Sequence, residues 1–241
     1  MNLFDIEDKT LLITGASSGL GKELAIQCGK LGAKVIITGR DENRLEETFS
    51  QSDRIYLSIP ADLSFEDDIN KLTQQLPTLD GVIFCAGVVE YAPVKLINSN
   101  RINNTMSINF NSQVLLTQQL IKQRKLNRGS SLVYISSIAS KIGVAGTAMY
   151  SASKSALNAF VKVTVNELST QSIRANSICP GIILTPMGEK AQSMNEDVGK
   201  DYPLGLGTPK DIVGPCVFLL SEASRWVTGT EMILDGGLTL I

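Results

Sequence analysis

An α/β fold is what this sequence predicts, with a doubly wound, mostly parallel sheet of about seven strands and helices on both faces. Three observations lead there. Short apolar runs recur along the 241 residues, segments of 3.6-residue period separate them, and the first run ends in a glycine-rich turn. At 43% hydrophobic residues the chain can bury one sizeable core, and it is too short for two ordinary domains and a linker. Residues 1–241 are therefore expected to form a single domain.

The runs LLIT (11–14), VIIT (35–38), IYLSI (55–59), VIFCA (82–86), LVYIS (132–136), ANSI (175–178) and MILD (232–235) read as strands. Their near-continuous apolarity suits a parallel sheet covered on both faces. Helical patterns occupy 20–30, 65–76, 103–125, 150–169 and 209–220. Ser64 before Asp67 and Thr208-Pro209 before Asp211 have capping-box spacing, the second with proline at the first helical position. Strict β–α alternation makes the arrangement Rossmann-like, and such sheets bind ligands beyond the carboxyl ends of their strands. Chemistry is to be sought just after each apolar run.

Composition removes several classes of function. Net charge is −2 with no block of like charge, which speaks against nucleic acid and membrane surfaces as partners. No apolar run approaches ~20 residues, and the acidic start MNLFDIEDKT lacks the look of a signal peptide, so a cytoplasmic location is the expectation. The cysteines Cys28, Cys85, Cys179 and Cys216 are widely spaced, reading as buried thiols rather than a metal site or disulfide frame. No metal is expected. The chain has no histidine, so any proton must move through Tyr, Lys, Asp, Glu or Cys.

The first strand runs into TGASSGLGKEL (14–24), with Gly15, Gly19 and Gly21 between strand and helix. A tight turn there lets backbone N–H groups approach a diphosphate, although a plain strand–helix turn would look the same. The second strand ends in Gly39-Arg40, where an acid would otherwise bind a ribose 2′-OH. A missing carboxylate and a planar cation point to a 2′-phosphate and hence to NADP(H) over NAD(H), the alternative being a solvated arginine muted by Asp41. Asp62, after the third strand, either meets the adenine edge or is a loop acid.

Ser136 and Ser137 close the fifth strand, and 13 residues after Ser137 comes Tyr150, with Lys154 one helical turn beyond it. A free phenol titrates near ~10. A cation about 4 Å away at an effective dielectric of ~20 contributes about 4 kcal/mol, roughly three pKa units. Lys154 is thus expected to bring Tyr150 close to neutrality, where general acid–base work is efficient. A surface pair is the alternative for Y-x-x-x-K taken alone.

Together TGASSGLG (14–21), ADL (61–63), AG (86–87), Asn109 in SINF, ISS (135–137), YSASK (150–154), PG (180–181) with Thr185, and LDGG (234–237) resemble the short-chain dehydrogenase/reductase family in its shorter single-domain subgroup, including its 3-oxoacyl-(acyl-carrier-protein) reductases. The resemblance covers essentially the whole chain. It implies a dinucleotide-binding and catalytic domain that transfers a hydride between nicotinamide and a carbonyl or alcohol carbon. Tyr150 would donate the proton, Ser137 would stabilise the carbonyl oxygen, Lys154 would hold ribose hydroxyls, and Asn109 would hold a relay water, unless it merely marks a capped or kinked helix. The cofactor would be lined by Gly15, Ser17, Ser18, Gly19, Leu20, Gly21, Gly39, Arg40, Asp62, Leu63, Ala86, Gly87, Tyr150, Lys154, Pro180, Gly181, Ile183 and Thr185. Residues 186–200 would form a lid. Family members are commonly tetramers, so a homo-oligomer is implied, with Trp226 at an interface or in the core.

Phe84-Cys85 replaces the family's Asn-Asn, which puts the tie between neighbouring loops in doubt. The residues expected to face a small-molecule substrate, Val88, Tyr91, Ile138, Val144, Thr147 and Met187, are mostly apolar. The candidates are a 3-oxoacyl thioester, a small ketone or a sugar. Arg128 and Gln171 stand where an acyl-carrier dock would be expected, and only the first is basic. A non-catalytic nucleotide-binding regulator or accessory subunit remains the second function class.

Overall fold

The computed structural model describes residues 2–194 and 196–240. Seven strands form one sheet: β1 (Thr10–Thr14), β2 (Lys34–Gly39), β3 (Ile55–Pro60), β4 (Leu79–Phe84), β5 (Leu126–Ile135), β6 (Arg174–Pro180) and β7 (Glu231–Leu234). Their order is β3-β2-β1-β4-β5-β6-β7, and every pairing is parallel. The order reverses between β1 and β4, which opens a crevice at their carboxyl ends.

The apolar runs are buried on both faces, which explains their continuity. Leu11 and Ile13 of β1 enter one core and Leu12 the other, and Ile83 and Val82 of β4 divide the same way. Helices α1 (Gly19–Lys30), α2 (Glu42–Phe49) and α8 (Pro209–Leu220) supply apolar side chains to the first core. Helices α3 (Glu66–Gln75), α5 (Ser112–Lys122) and α6 (Ala148–Leu168) supply the second.

Two helices lie outside the sequence expectation: α2, whose mean polarity hides its single buried stripe at Leu45 and Thr48, and α7 (Pro186–Met194). A third, α4 (Ser99–Met106), begins ahead of the expected start at 103. The segment expected as one helix over 103–125 is α4 and α5 joined by a π turn at Ser107–Asn111. The Thr208 cap is present: its backbone N–H and its hydroxyl both donate to Asp211 Oδ2, at 2.6 and 2.8 Å. The Ser64 cap is not. Ser64 instead donates to Asp62 Oδ1 at 2.6 Å, and α3 begins after Phe65.

Trp226 is 92% exposed in the single chain, so its core alternative is withdrawn. Arg128 is exposed, in a bulged segment at the amino end of β5 where Leu79 pairs with Leu126 but Gly81 with Ser131. Gln171 lies in the turn before β6. Both therefore sit at the amino ends of the strands, away from the crevice.

Candidate active site

The crevice is a cleft of about 860 Å³. Every residue expected to contact the cofactor lines it, together with Ser137 and the six expected substrate neighbours.

At one end the protein presents backbone. Gly15 has φ +67°, and a Cβ there would come 2.8 Å from the Ala86 Cα. A Cβ on Gly21 would lie 2.4 Å from the Gly15 carbonyl oxygen, so α1 can start tight against β1 only with glycine at this point. Ser18 is the N-cap residue of α1, yet its side chain makes no capping bond. The first-turn N–H groups of a helix lack intrahelical partners, and here they open on the cleft beside an uncommitted cap, a cradle suited to a diphosphate. Arg40 lines the same end. Asp41 makes no hydrogen bond to its guanidinium and acts on it only as a nearby charge, since the Asp41 carboxylate caps α2 through Arg44 N at 3.0 Å and pairs with Arg44 Nε at 2.7 Å. Those bonds to Arg44 hold the Asp41 carboxyl below its usual range. Arg44 also lines the cleft, a second cation that the sequence pattern did not single out because α2 itself was unseen.

Phe84 and Cys85 are accommodated without the family's amides. Phe84 is fully buried and stacks on Tyr134, its register partner in β5, with ring centroids 4.3 Å apart. Thr14 Oγ1 accepts from the N–H groups of Cys85 and Ala86 at 3.0 and 3.1 Å, so β1 holds the β4 loop by its main chain. The doubt about this loop is resolved by Thr14, and with it goes the one feature that spoke for a non-catalytic protein.

At the other end the groups are buried side chains. Ser137 caps the short 3₁₀ turn Ile138–Ser140, where its Oγ accepts from Ala139 N at 3.1 Å. Its own proton is left to donate toward the phenol or an incoming oxygen. Burial pushes Tyr150 up to about 12, with the Ser137 hydrogen bond pulling the other way. Burial draws Lys154, only 4% exposed, down to about 8. The expectation that Lys154 brings the phenol near neutrality is thus corrected. Lys154 Nζ donates to the Ile135 carbonyl at 2.7 Å and stands 5.8 Å from the ring centroid of Tyr150, and desolvation outweighs the charge at that range.

Asn109 is the one expected catalytic residue that does not line the cleft. It is 0% exposed, inside the π turn, and spends its amide on the β4 loop. Oδ1 accepts from Val88 N at 2.8 Å, and Nδ2 donates to Val88 O at 2.9 Å and Ser153 Oγ at 3.1 Å. It clamps the β4 loop to α6 rather than lining the cleft. A Cβ on Gly87 would nonetheless meet Asn109 Oδ1 at 3.4 Å and Lys154 Nζ at 3.6 Å, so the two residues approach one glycine-sized gap. Asp201 and Tyr202 also reach the cleft, which motif reading had no means to find. Tyr202 Oη accepts from Ile182 N at 3.1 Å. Asn195 of the expected lid 186–200 lies outside the described residues.

The fold and these groups define an oxidoreductase that acts on CH–OH or C=O groups with a nicotinamide cofactor. The chain belongs to the short-chain dehydrogenase/reductase family. The family model described as Enoyl-(Acyl carrier protein) reductase matches residues 15–239. A 3-oxoacyl-[acyl-carrier-protein] reductase of Rickettsia bellii is 30% identical over 241 residues, covering 99% of this chain and all of that one. An L-rhamnose-1-dehydrogenase of Scheffersomyces stipitis is 30% identical over 97% of this chain and 96% of its own. Among solved structures, a short-chain type dehydrogenase/reductase from Mycobacterium marinum superposes with a TM-score of 0.91 at 27% identity, covering 100% of this chain and 99% of that one. Among the described residues, no helix is long and apolar enough to cross a membrane and no cluster of metal ligands occurs.

Proposed function

We propose that this chain is an NADP(H)-preferring reductase of a neutral carbonyl compound, working as a homo-oligomer. The observation that carries the reading is the convergence of Ser137, Tyr150 and Lys154 at one end of a cleft whose other end offers the α1 N-terminus and Arg40. Gly15 to Gly21 would hold the diphosphate of a nicotinamide dinucleotide, and Arg40 with Arg44 would supply the positive charge that a 2′-phosphate needs; the cofactor, when bound, would provide hydride transfer.

A carbonyl oxygen that gains negative charge is met by the Ser137 hydroxyl and the Tyr150 phenol. A phenol held up near 12 keeps its proton at neutral pH and surrenders it only to a strong base, such as a newly formed alkoxide. In that state the phenol is ready to donate, as reduction of a carbonyl requires. Lys154, with a pKa near 8, can refill the phenolate, and the Gly87 gap beside Asn109 is the natural seat for a relay water.

The substrate end is walled by Val88, Val89, Ile138, Ile142, Val144 and Val198. Among the described lining residues it holds one cation, Lys154, and one carboxylate, Asp201. Such walls favour a neutral, largely apolar acyl or ketone substrate over a sugar acid. The exposed Trp226 and the apolar Ile233 on edge strand β7 suit an interface with a second copy.

The cofactor preference is tested by titrating the protein and Arg40→Ala with NADPH and NADH, following nicotinamide fluorescence. NADPH is expected to bind more tightly, and the variant to lose about ten-fold or more of that margin, the worth of one charge-assisted bond. Equal binding of NADH by the parent would refute the 2′-phosphate reading, and the carbonyl screen would then start from NAD-linked alcohols.

A further inference from the structure

Outside the cleft, one carboxylate gathers donors from both elements that carry the reacting groups. Glu231 opens β7, in register with Ser177 of β6, and its side chain is 12% exposed. Oε2 accepts from Asn158 Nδ2 at 2.6 Å and pairs with Lys141. Oε1 pairs with Lys162 at 2.7 Å. Lys141 is the residue that ends the 3₁₀ turn following Ser137. Asn158 and Lys162 lie one and two turns beyond Lys154 on α6.

The link continues inward. Asn158 Nδ2 also donates to Ser140 Oγ at 3.0 Å, and Ser140 Oγ donates to the Ser137 carbonyl at 2.6 Å. Glu231, Asn158, Ser140 and Ser137 thus form an unbroken chain of hydrogen bonds from the edge strand to the backbone of the residue whose hydroxyl faces the phenol. Ser136 Oγ closes the same joint by donating to the Lys154 carbonyl at 3.3 Å.

An exposed ion pair such as that to Lys162 is worth little by itself. The arrangement differs because the shared acceptor is mostly buried and its donors come from two separate elements. The lysine bonds outweigh burial and hold the Glu231 carboxyl below its usual range, so it stays charged and keeps its grip through neutral pH.

We infer that Glu231 is a positioning residue: it clamps the Ser137 turn to the Tyr150–Lys154 helix and fixes the spacing of serine and phenol. The catalytic half of this inference rests on the proposed reductase reading; the clamp itself does not. Misplacing a reacting group by about 1 Å can cost on the order of a hundred-fold in rate. A clamp of this kind is therefore expected to act on kcat.

The test compares the parent with Glu231→Ala, Glu231→Gln and Asn158→Ala in two measurements. Amide hydrogen exchange is read at Ala139, Ser140 and Lys141, with Val35–Thr38 of β2 as internal reference. Steady-state kinetics follow reduction of the best carbonyl from an NADPH screen. The expected result is at least about ten-fold faster exchange at the turn in Glu231→Ala and Asn158→Ala, with β2 unchanged. With it, kcat falls about ten-fold or more while the KM for NADPH stays within about two-fold, and Glu231→Gln, which keeps an acceptor for Asn158, recovers much of the loss.

Turn exchange equal to the parent's would overturn the clamp whatever the kinetics show. Faster turn exchange with unchanged kcat would leave a clamp without the positioning role. Uniform loss of protection, β2 included, in all three variants would reduce Glu231 to a fold stabiliser. A parent that reduces no carbonyl would sink the reductase reading, and the exchange data would still decide the clamp.

Discussion

The two ends of the cleft are built from opposite materials. The cofactor end is backbone: Gly15 and Gly21 with no room for a side chain, a helix N-terminus, and arginines at the rim. Its geometry follows from steric limits that hold in any solvent. The chemical end is made of buried titratable side chains, Tyr150 pushed up to about 12 and Lys154 drawn down to about 8. Its properties depend on what surrounds it. Binding is thus specified by shape, and reactivity by burial.

Tyr150→Phe should separate the two ends most sharply. It removes the proposed proton donor and nothing from the glycine turn at Gly15 to Gly21. Carbonyl reduction is expected to fall by about 10²–10⁴-fold, with NADPH affinity within about two-fold of the parent in a fluorescence titration. A comparable loss of affinity would mean that the two ends are not independent.

Lys154→Met tests how far burial governs the chemical end. A lysine depressed from 10.5 to about 8 in the folded state binds fewer protons than the unfolded chain between those values. Lys154 should therefore add stability as pH rises from about 8 to 10.5, by roughly 3 kcal/mol at most, against the opposing loss from the thiols of Cys28 and Cys85, which burial pushes up to about 12. The thiol contribution is common to parent and methionine variant, so the difference between their urea-unfolding stabilities should grow by that amount across the window. A difference that stays flat would show that the ammonium is better solvated than its 4% exposure implies.

Thr14→Val probes the seam where the ends meet. It leaves the N–H groups of Cys85 and Ala86 without their acceptor, at a cost of about 1–3 kcal/mol read from the urea midpoint. NADPH affinity should weaken only slightly if the loop keeps its course.

The same contrast explains what the sequence could disclose. Gly15, Gly19 and Gly21 are legible because glycine spacing reports backbone directly, and every expected cofactor neighbour lies on the cleft. The strands were legible because burial on both faces leaves unbroken apolar runs. That Ser137, Tyr150 and Lys154 share one cleft was legible too, but not their electrostatics: a one-turn spacing gives proximity without giving desolvation or the pull of the Ile135 carbonyl. Asn109 was expected to hold a relay water or to mark a capped or kinked helix, and it lies buried in a π turn with its amide on Val88 and Ser153, contacts that SINF by itself does not announce. Arg44, Asp201 and Glu231 escaped notice because each acquires its neighbours only through tertiary packing.

The π turn at Ser107–Asn111 also bears on how this chain can vary. Each residue of a helix advances the azimuth by about 100°, so the wider turn acts as a phase offset between α4 and α5. Upstream of it the register places Thr105 in the interior, and downstream it places Leu116 and Leu120 in the core. Loss of one residue here would close the wide turn and leave the two faces near their present phase, and its cost would fall on Asn109, turned away from Val88. Elsewhere in 99–122 a one-residue insertion or deletion would rotate Leu116 and Leu120 by about 100° out of the core, so outside the π turn this helix should tolerate substitutions more readily than changes of length.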